Sequence, residues 1–152
     1  MDAYLREATE KDMDILFHWV NDPAVRKSSF STRAISYSEH QEWYKRILRE
    51  ENCKQYIYMY GDEPVGQVRI TICGNEAEIH YSISKEKRCM GHGKNLLRLL
   101  YRQVRIDFPN LQKLIARVKP DNIASQQAFF GVGYTEKYSF FELNVLDAVS
   151  LE

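Results

Sequence analysis

The densest chemistry in the chain lies in one run, Arg88-Cys89-Met90-Gly91-His92-Gly93-Lys94. Before it, Ala77-Glu78-Ile79-His80-Tyr81-Ser82-Ile83 alternates as an extended strand does. After it, Leu96, Leu97, Leu99, Leu100 and Val104 recur at helical spacing. A strand, a loop with two close glycines and a helix start together make an anion seat. Glycine lets the backbone approach a phosphate, and the first helical turn points unpaired N–H groups at it. Helix polarity adds about 0.3–1 kcal/mol per favourable charge–dipole contact. The seat is built from the amides of Arg88 through Lys94, so Gly91 and Gly93 must stay small while the His92 side chain is expected to face solvent. On the strand, Glu78 and His80 fall on one face, and either can relay a proton. His80 has the more convenient ordinary pKa, near 6.5. A hydrogen-bonded structural histidine and a solvated edge glutamate are the competing readings.

These residues need a scaffold, and the rest of the sequence supplies one. A strand is expected at Ala3–Arg6, and Thr9 with Asp12 forms an acidic capping box for a helix carrying Met13, Leu16, Phe17 and Val20. Asn21-Asp22-Pro23 is expected to stop that helix. Ser36 and Glu39 open another, with Trp43, Tyr44, Ile47 and Leu48 on one face. Gln55–Tyr60, Val65–Cys73 and Glu76–Ser84, separated by turns at Gly61 and Gly74-Asn75, read as a three-stranded antiparallel meander. The long helix near Gly91–Ile106 ends at Phe108-Pro109-Asn110, and Leu114–Val118 is a fifth strand. Asp121 is expected to cap a helix over Ile123–Phe130, and Tyr134–Leu143 reads as a last strand. The order β-α-α-β-β-β-α-β-α-β places strands four and five on either side of a crossover helix, hence parallel. The fold class is α/β, a mixed sheet with helices on both faces.

Composition excludes several function classes. The 152 residues hold 21 Lys+Arg and 21 Asp+Glu, so no net field recruits nucleic acid or an anionic membrane. No apolar run approaches the roughly 20 residues of a membrane span, and no leader-like segment opens the chain. Cys53, Cys73 and Cys89 match neither a zinc spacing nor a disulfide framework, so no metal is expected and the cytoplasm is the expected location. Residues 1–150 read as one domain, with Leu151-Glu152 resembling a cloning scar.

Three segments together resemble the GCN5-related N-acetyltransferases (GNAT). Arg88-x-x-Gly91-x-Gly93 fits the family's pyrophosphate loop, and Glu78-Ile79-His80-Tyr81-Ser82-Ile83 looks like the strand before it. Asn122-Ile123-Ala124-Ser125, followed by Gly133-Tyr134, resembles the family's Asn-x-x-(Ala/Ser) helix ending in Gly-Phe. A narrower likeness runs through Trp19-x-Asn21-Asp22-Pro23-x-Val25-Arg26, Ser29-Phe30, Ile35, His40-x-x-Trp43 and Val65-Gly66-Gln67-Val68-Arg69. Those segments are similar to acetyltransferases of pseudaminic acid biosynthesis, which acetylate a UDP-linked 4-amino sugar.

The resemblance implies acetyl-CoA as cosubstrate and direct attack by a neutral amine in a ternary complex. It implies that the pantetheine arm lies between the parting parallel strands. A backbone N–H near Tyr81, Ser82 or Ile83 would stabilise the thioester oxyanion, with Asn122 and Ser125 on the pantetheine arm. The competing reading of Asn122 is a helix cap. The family's usual tyrosine acid falls here on Phe129, so Tyr134, Tyr138 or a water must protonate the leaving thiolate. Cys89 is not needed as a nucleophile. On the acceptor side the resemblance gathers Asn21, Arg26, Phe30, His40 and Trp43, an arginine and aromatics suited to a nucleotide diphosphate and its base. Trp43 also reads as core, and Arg26 as a surface cap. A nucleotide-linked amino sugar is thus the expected partner of a monomer or homodimer. A protein N-terminal or small-amine acetyltransferase and a non-catalytic acyl-CoA-binding module are the alternatives. A dinucleotide-binding domain fits poorly, because the glycine loop follows a meander rather than the first strand of a βαβ unit.

Overall fold

Alternating side chains divide each strand between two apolar layers, and the helices are sorted by which layer they cover. The computed structural model describes residues 2–143, and Leu151-Glu152 lies outside them. The strands are β1 (Ala3–Glu7), β2 (Cys53–Tyr60), β3 (Glu63–Cys73), β4 (Glu76–Ile83) and β5 (Lys113–Ile115). They lie in that order in one sheet, antiparallel through β4, with β5 parallel to β4. The helices are α1 (Met13–Val20), α2 (Pro23–Ser28), α3 (Tyr37–Ile47), α4 (His92–Asp107) and α5 (Ile123–Gly131). None of them is long and apolar enough to cross a membrane.

On one face, Tyr56, Tyr58, Val68, Ile70, Ala77 and Ile79 bury against Leu96, Leu97, Leu100 and Val104 of α4 and Phe129 of α5. On the other face, Ile57 and Met59 meet Leu16 and Trp19 of α1 and Tyr44 and Ile47 of α3. That second apolar layer ends at β2. Beyond it the same face of β3 and β4 carries Arg69, Thr71, Glu78 and His80, which stand opposite one another in register. The site is therefore the uncovered half of a sheet face.

The capping box is present, with the Thr9 amide donating to Asp12 Oδ2 at 2.8 Å, but it heads a 3₁₀ turn at Glu10–Asp12 that runs on into α1. Arg6 clamps the same carboxylate with two bonds of 2.8 and 2.9 Å.

Four local expectations need correction. Asn21-Asp22-Pro23 stops α1 but also starts α2, because Asp22 Oδ1 caps Ala24 and Val25 and proline suits a first helical position. The meander is thus preceded by a third helix that the sequence reading omits. The α5 cap is Asn122, whose Oδ1 accepts from the Ser125 amide at 3.2 Å, and not Asp121. The fifth strand keeps only three ladder pairs, Glu76–Lys113 to Glu78–Ile115, and stops short of Val118. Finally, Tyr134–Leu143 forms no strand: Tyr138, Phe140 and Phe141 are 76%, 82% and 91% exposed. A three-residue β5 offers too short an edge to template a further strand.

Candidate functional site

The strands that part are β4 and β5. Their ladder ends at Glu78–Ile115, while β4 runs on to Ile83. Ser84 N–H donates to Val65 at 2.8 Å, so continuous pairing with β3 turns the amides of Tyr81 and Ile83 the other way, into the opening. Ser82 turns toward β3, and its hydroxyl accepts from Gln67 at 3.1 Å. Tyr81 Oη and Ser125 Oγ meet across the same opening at 3.0 Å. The side-chain nitrogen Nδ2 of Asn122, whose Oδ1 caps α5, has no protein partner among the described residues.

Above the opening lies the glycine loop. Cys89 and Gly91 both sit in the left-handed region, at φ 61° and 82°, and the turn they make aims successive amides outward. Asn95 N–H makes the first intrahelical bond, to Gly91, which leaves the amides of His92, Gly93 and Lys94 without helical acceptors. A Cβ on Gly93 would make only ordinary contacts, at 3.7 Å from Tyr81 and 3.8 Å from Ala128, so no protein clash requires glycine there. Met90 and Cys89 are exposed.

One side chain of the loop departs from expectation. His92 is buried, not solvated: its Nδ1 lies 2.8 Å from the Tyr58 hydroxyl, and its ring meets Tyr60 edge-on at 5.1 Å. Turning inward, it anchors the start of α4 to β2. Arg88 points back toward the protein, where Nε donates to the Ile83 carbonyl at 3.0 Å and Nη2 to Asp22 at 3.0 Å.

Below the opening is a groove of about 290 Å³ lined by Thr71, Cys73, Glu76, Glu78, His80, Ile115 and Arg117. Glu78 Oε1 accepts from Arg117 Nε at 3.1 Å and Nη2 at 2.8 Å, and lies 3.3 Å from His80 Nε2. Its second oxygen has no protein partner among the described residues. Burial holds the His80 imidazole below its ordinary pKa, Arg69 and Arg117 reinforce this, and Glu78 opposes it. His80 is neutral near pH 7, the state in which a ring nitrogen accepts a proton.

The proton-donor candidates separate clearly. Tyr138 stands exposed in irregular chain, and its hydroxyl makes no hydrogen bond among the described residues. Tyr134 packs edge-on against Phe129 at 4.9 Å, and its hydroxyl is buried without a partner. Burial pushes its pKa up to about 12, so it keeps its proton.

Most of the expected acceptor residues hold the scaffold. Asn21 clamps the backbone of Ile35 with two bonds of 2.8 Å. Arg26 spends its donors on the carbonyls of Val20, Ser31 and Arg33 and on the Ser29 hydroxyl. His40 is 2% exposed, lies 3.0 Å from the Met13 carbonyl and stacks on Tyr44, all core functions. Phe30 differs: it is 62% exposed and lies 5.0 Å from the Arg117 guanidinium. Sequence reading missed Arg69 and Arg117. The hairpin register across from His80 carried the signal for Arg69, whereas Arg117 follows a strand whose divergence no pattern announces.

Comparison with known proteins agrees with this geometry. A family model described as the acetyltransferase (GNAT) domain matches residues 3–135. None of the curated proteins matches the chain. Among solved structures, an aminoglycoside acetyltransferase AAC(6')-Ib in complex with ribostamycin and coenzyme A superposes with a TM-score of 0.79 at 21% identity, covering 90% of this chain and 85% of its own. A spermidine N-acetyltransferase from Vibrio cholerae, with CoA and spermine, gives 0.80 at 18% identity over 91% and 86%. A ribosomal L7/L12 alpha-N-protein acetyltransferase bound to coenzyme A gives 0.77 at 18% over 88% and 80%.

Proposed function

Because the chain belongs to the GNAT acetyltransferase family, we propose that it transfers the acetyl group of acetyl-CoA to a primary amine, with a nucleotide-linked 4-amino sugar as preferred acceptor. One observation carries the reading. The ladder between β4 and β5 stops at Glu78–Ile115, and the opening it leaves joins an amide-lined loop above to a His80–Glu78–Arg117 groove below. The solved relatives named above were crystallised with CoA, which supports the same cosubstrate here. The likeness of Trp19–Arg26 and Val65–Arg69 to the pseudaminic acid enzymes supports the sugar acceptor, as does an exposed aromatic at the groove.

In this mechanism the pyrophosphate rests on the amides of His92, Gly93 and Lys94, and the arm follows the edge of β4 beside Asn122 and Ser125. The thioester oxygen faces a single backbone amide on this edge of β4, that of Tyr81 or of Ile83, which is fixed before reaction and so stabilises the developing oxyanion. The amine nitrogen attacks the carbonyl carbon, forming the C–N bond. His80 takes the proton that nitrogen sheds. The C–S bond breaks, and the leaving thiolate takes a proton from water or from the Tyr134 phenol, which its raised pKa makes a weaker donor than an ordinary tyrosine. Glu78, tied to Arg117, offers its second oxygen as a hydrogen-bond acceptor to an N–H of the incoming neutral amine.

The test is release of CoA against a UDP-4-amino-4,6-dideoxy sugar, spermidine, an aminoglycoside and a peptide with a free N-terminus. Turnover fastest on the nucleotide sugar is expected. Turnover confined to other amines refutes the sugar acceptor, and CoA binding without turnover of any amine refutes the enzyme.

A further inference from the structure

Arg69 is one of two described residues with a buried side-chain polar atom that finds no partner, the other being Tyr134. Arg69 lies on β3 directly across from His80, its Nε is buried without a partner, and it makes no ion pair among the described residues. The Trp43 ring lies 4.9 Å from the guanidinium carbon, and Glu78 offsets part of the charge through space without forming an ion pair with it. A cation held this way is costly unless something else completes it, and an orphaned buried donor calls for a missing anion or water. Arg117 stands on the opposite flank of β4. Glu78 occupies its Nε and Nη2, the Phe30 ring covers it, and Nη1 has no partner among the described residues.

The charges of the groove can be matched pair by pair. Glu78 is answered by Arg117 and Glu76 by Lys113 at 3.7 Å, while His80 is held neutral. Arg69 is left over. Arg69, which is not itself among the residues that line the groove, adds, beside the proposed proton acceptor, a positive charge that no ion pair among the described residues matches.

We propose that Arg69 and Arg117 form a phosphoryl seat in the acceptor groove, so that the amine this protein acetylates carries a phosphate or diphosphate. The seat rests on the acetyltransferase reading above but not on the identity of the sugar. Guanidinium groups bind phosphate oxygens through charge-assisted bonds, and two of them on either side of His80 take separate oxygens of one diphosphate. Phe30 closes the outer side by stacking on Arg117. A phosphorylated end anchored there leaves the amine end near His80.

The experiment compares one amino sugar as free sugar, as 1-phosphate and as nucleotide diphosphate, with spermidine and a carboxylate-bearing amine alongside. The expected result is kcat/KM at least about 100-fold higher for the phosphorylated forms, an advantage that shrinks as salt screens the charges. R117Q, at an exposed position, should raise KM for phosphorylated amines about tenfold or more and leave KM for acetyl-CoA within about twofold. Equal turnover of phosphorylated, neutral and cationic amines, or preference for the carboxylate, overturns the seat and leaves the acetyltransferase intact. A second readout needs no turnover. Protein saturated with CoA, so that the glycine loop is filled, is titrated with UDP by calorimetry. Binding that R117Q and R69Q abolish supports the seat even if no acceptor reacts, and binding unchanged by R117Q overturns it.

Discussion

At the scale of single residues, the site assigns proton transfer by contrast of environment. Glu78 and His80 share a strand face, but three nitrogen atoms crowd one Glu78 oxygen while His80 is kept neutral by burial and by two arginines. The sign of the pH effect follows. A folded-state imidazole pKa below 6.5 means that the base form is lost only when pH falls beneath the ordinary histidine value, so the acid limb of kcat/KM should lie below pH 6.5. H80Q should remove that limb and lower kcat about 10²-fold or more. E78Q should keep it and move it further down, since Glu78 opposes the shift. An unmoved limb in H80Q would assign the proton elsewhere. The same depressed pKa gives a stability term present above pH 6.5 and lost as pH falls through the folded-state value. Tyr134 permits a sharper separation. Its buried hydroxyl has no partner, so Y134F should leave Tm unchanged or raise it, because an orphaned polar group is deleted. If the hydroxyl protonates the thiolate, kcat still falls about 10²-fold. A loss of Tm with unchanged kcat would mark it as packing alone.

At the scale of elements, the anion seat is a consequence of how α4 begins. Gly91 is its N-cap at φ 82°, with nothing within 4 Å of where a Cβ would stand, so its constraint is backbone conformation and not space. A branched residue there resists the left-handed region at a cost of roughly 1–2 kcal/mol and tilts the amides of residues 92–94 away from a common point. G91V should therefore raise KM for acetyl-CoA while kcat at saturation changes little, measured by steady-state kinetics; an unchanged KM would refute the placement. Such features were legible from sequence because they are local: glycine spacing, the Thr9–Asp12 box and strand alternation each act within a few residues. The errors fall where a short-range rule has two outcomes. Asp22-Pro23 ends one helix and begins another with equal chemistry, and Asp121 and Asn122 are both competent caps. Tyr134–Leu143 has strand-forming composition, but a strand needs an edge, and the three-residue β5 does not provide one. His92 went inward because Tyr58, 34 residues earlier, supplies a hydroxyl that no local pattern reveals.

At the scale of the whole molecule, the acceptor segment and the cofactor loop are physically joined, and the residues that join them are those whose sequence pattern suggested ligand contacts. Asn21 and Arg26 fix the backbone of residues 31–35, Lys119 holds the Lys27 carbonyl at 2.9 Å, and Asp22 reaches across 66 residues to Arg88 in the glycine loop. Arg88 in turn holds the Ile83 carbonyl at the end of β4. Residues that hold a loop and residues that hold a ligand have the same chemistry, which is why sequence could gather Asn21, Arg26 and His40 near the acceptor without separating scaffold from contact. The Asp22–Arg88 pair is partly buried, with side chains 17% and 30% exposed, and its breakage leaves the rest of the α2 cap standing. D22N keeps an oxygen for the Ala24 and Val25 amides but removes the charge that orients Arg88. A half-exposed pair of this kind is worth up to about 1 kcal/mol, so KM for acetyl-CoA should rise about threefold to fivefold with Tm nearly unchanged. Burial raises the Asp22 pKa, but Arg88 and the two amides outweigh it and hold the carboxyl below its ordinary value. The pair therefore persists as pH falls through the ordinary carboxylate range, and the D22N difference should be constant from pH 8 down to about pH 5. If the loop and the acceptor segment act together, D22N also raises KM for the amine; a change confined to acetyl-CoA would show that the bridge serves the glycine loop alone.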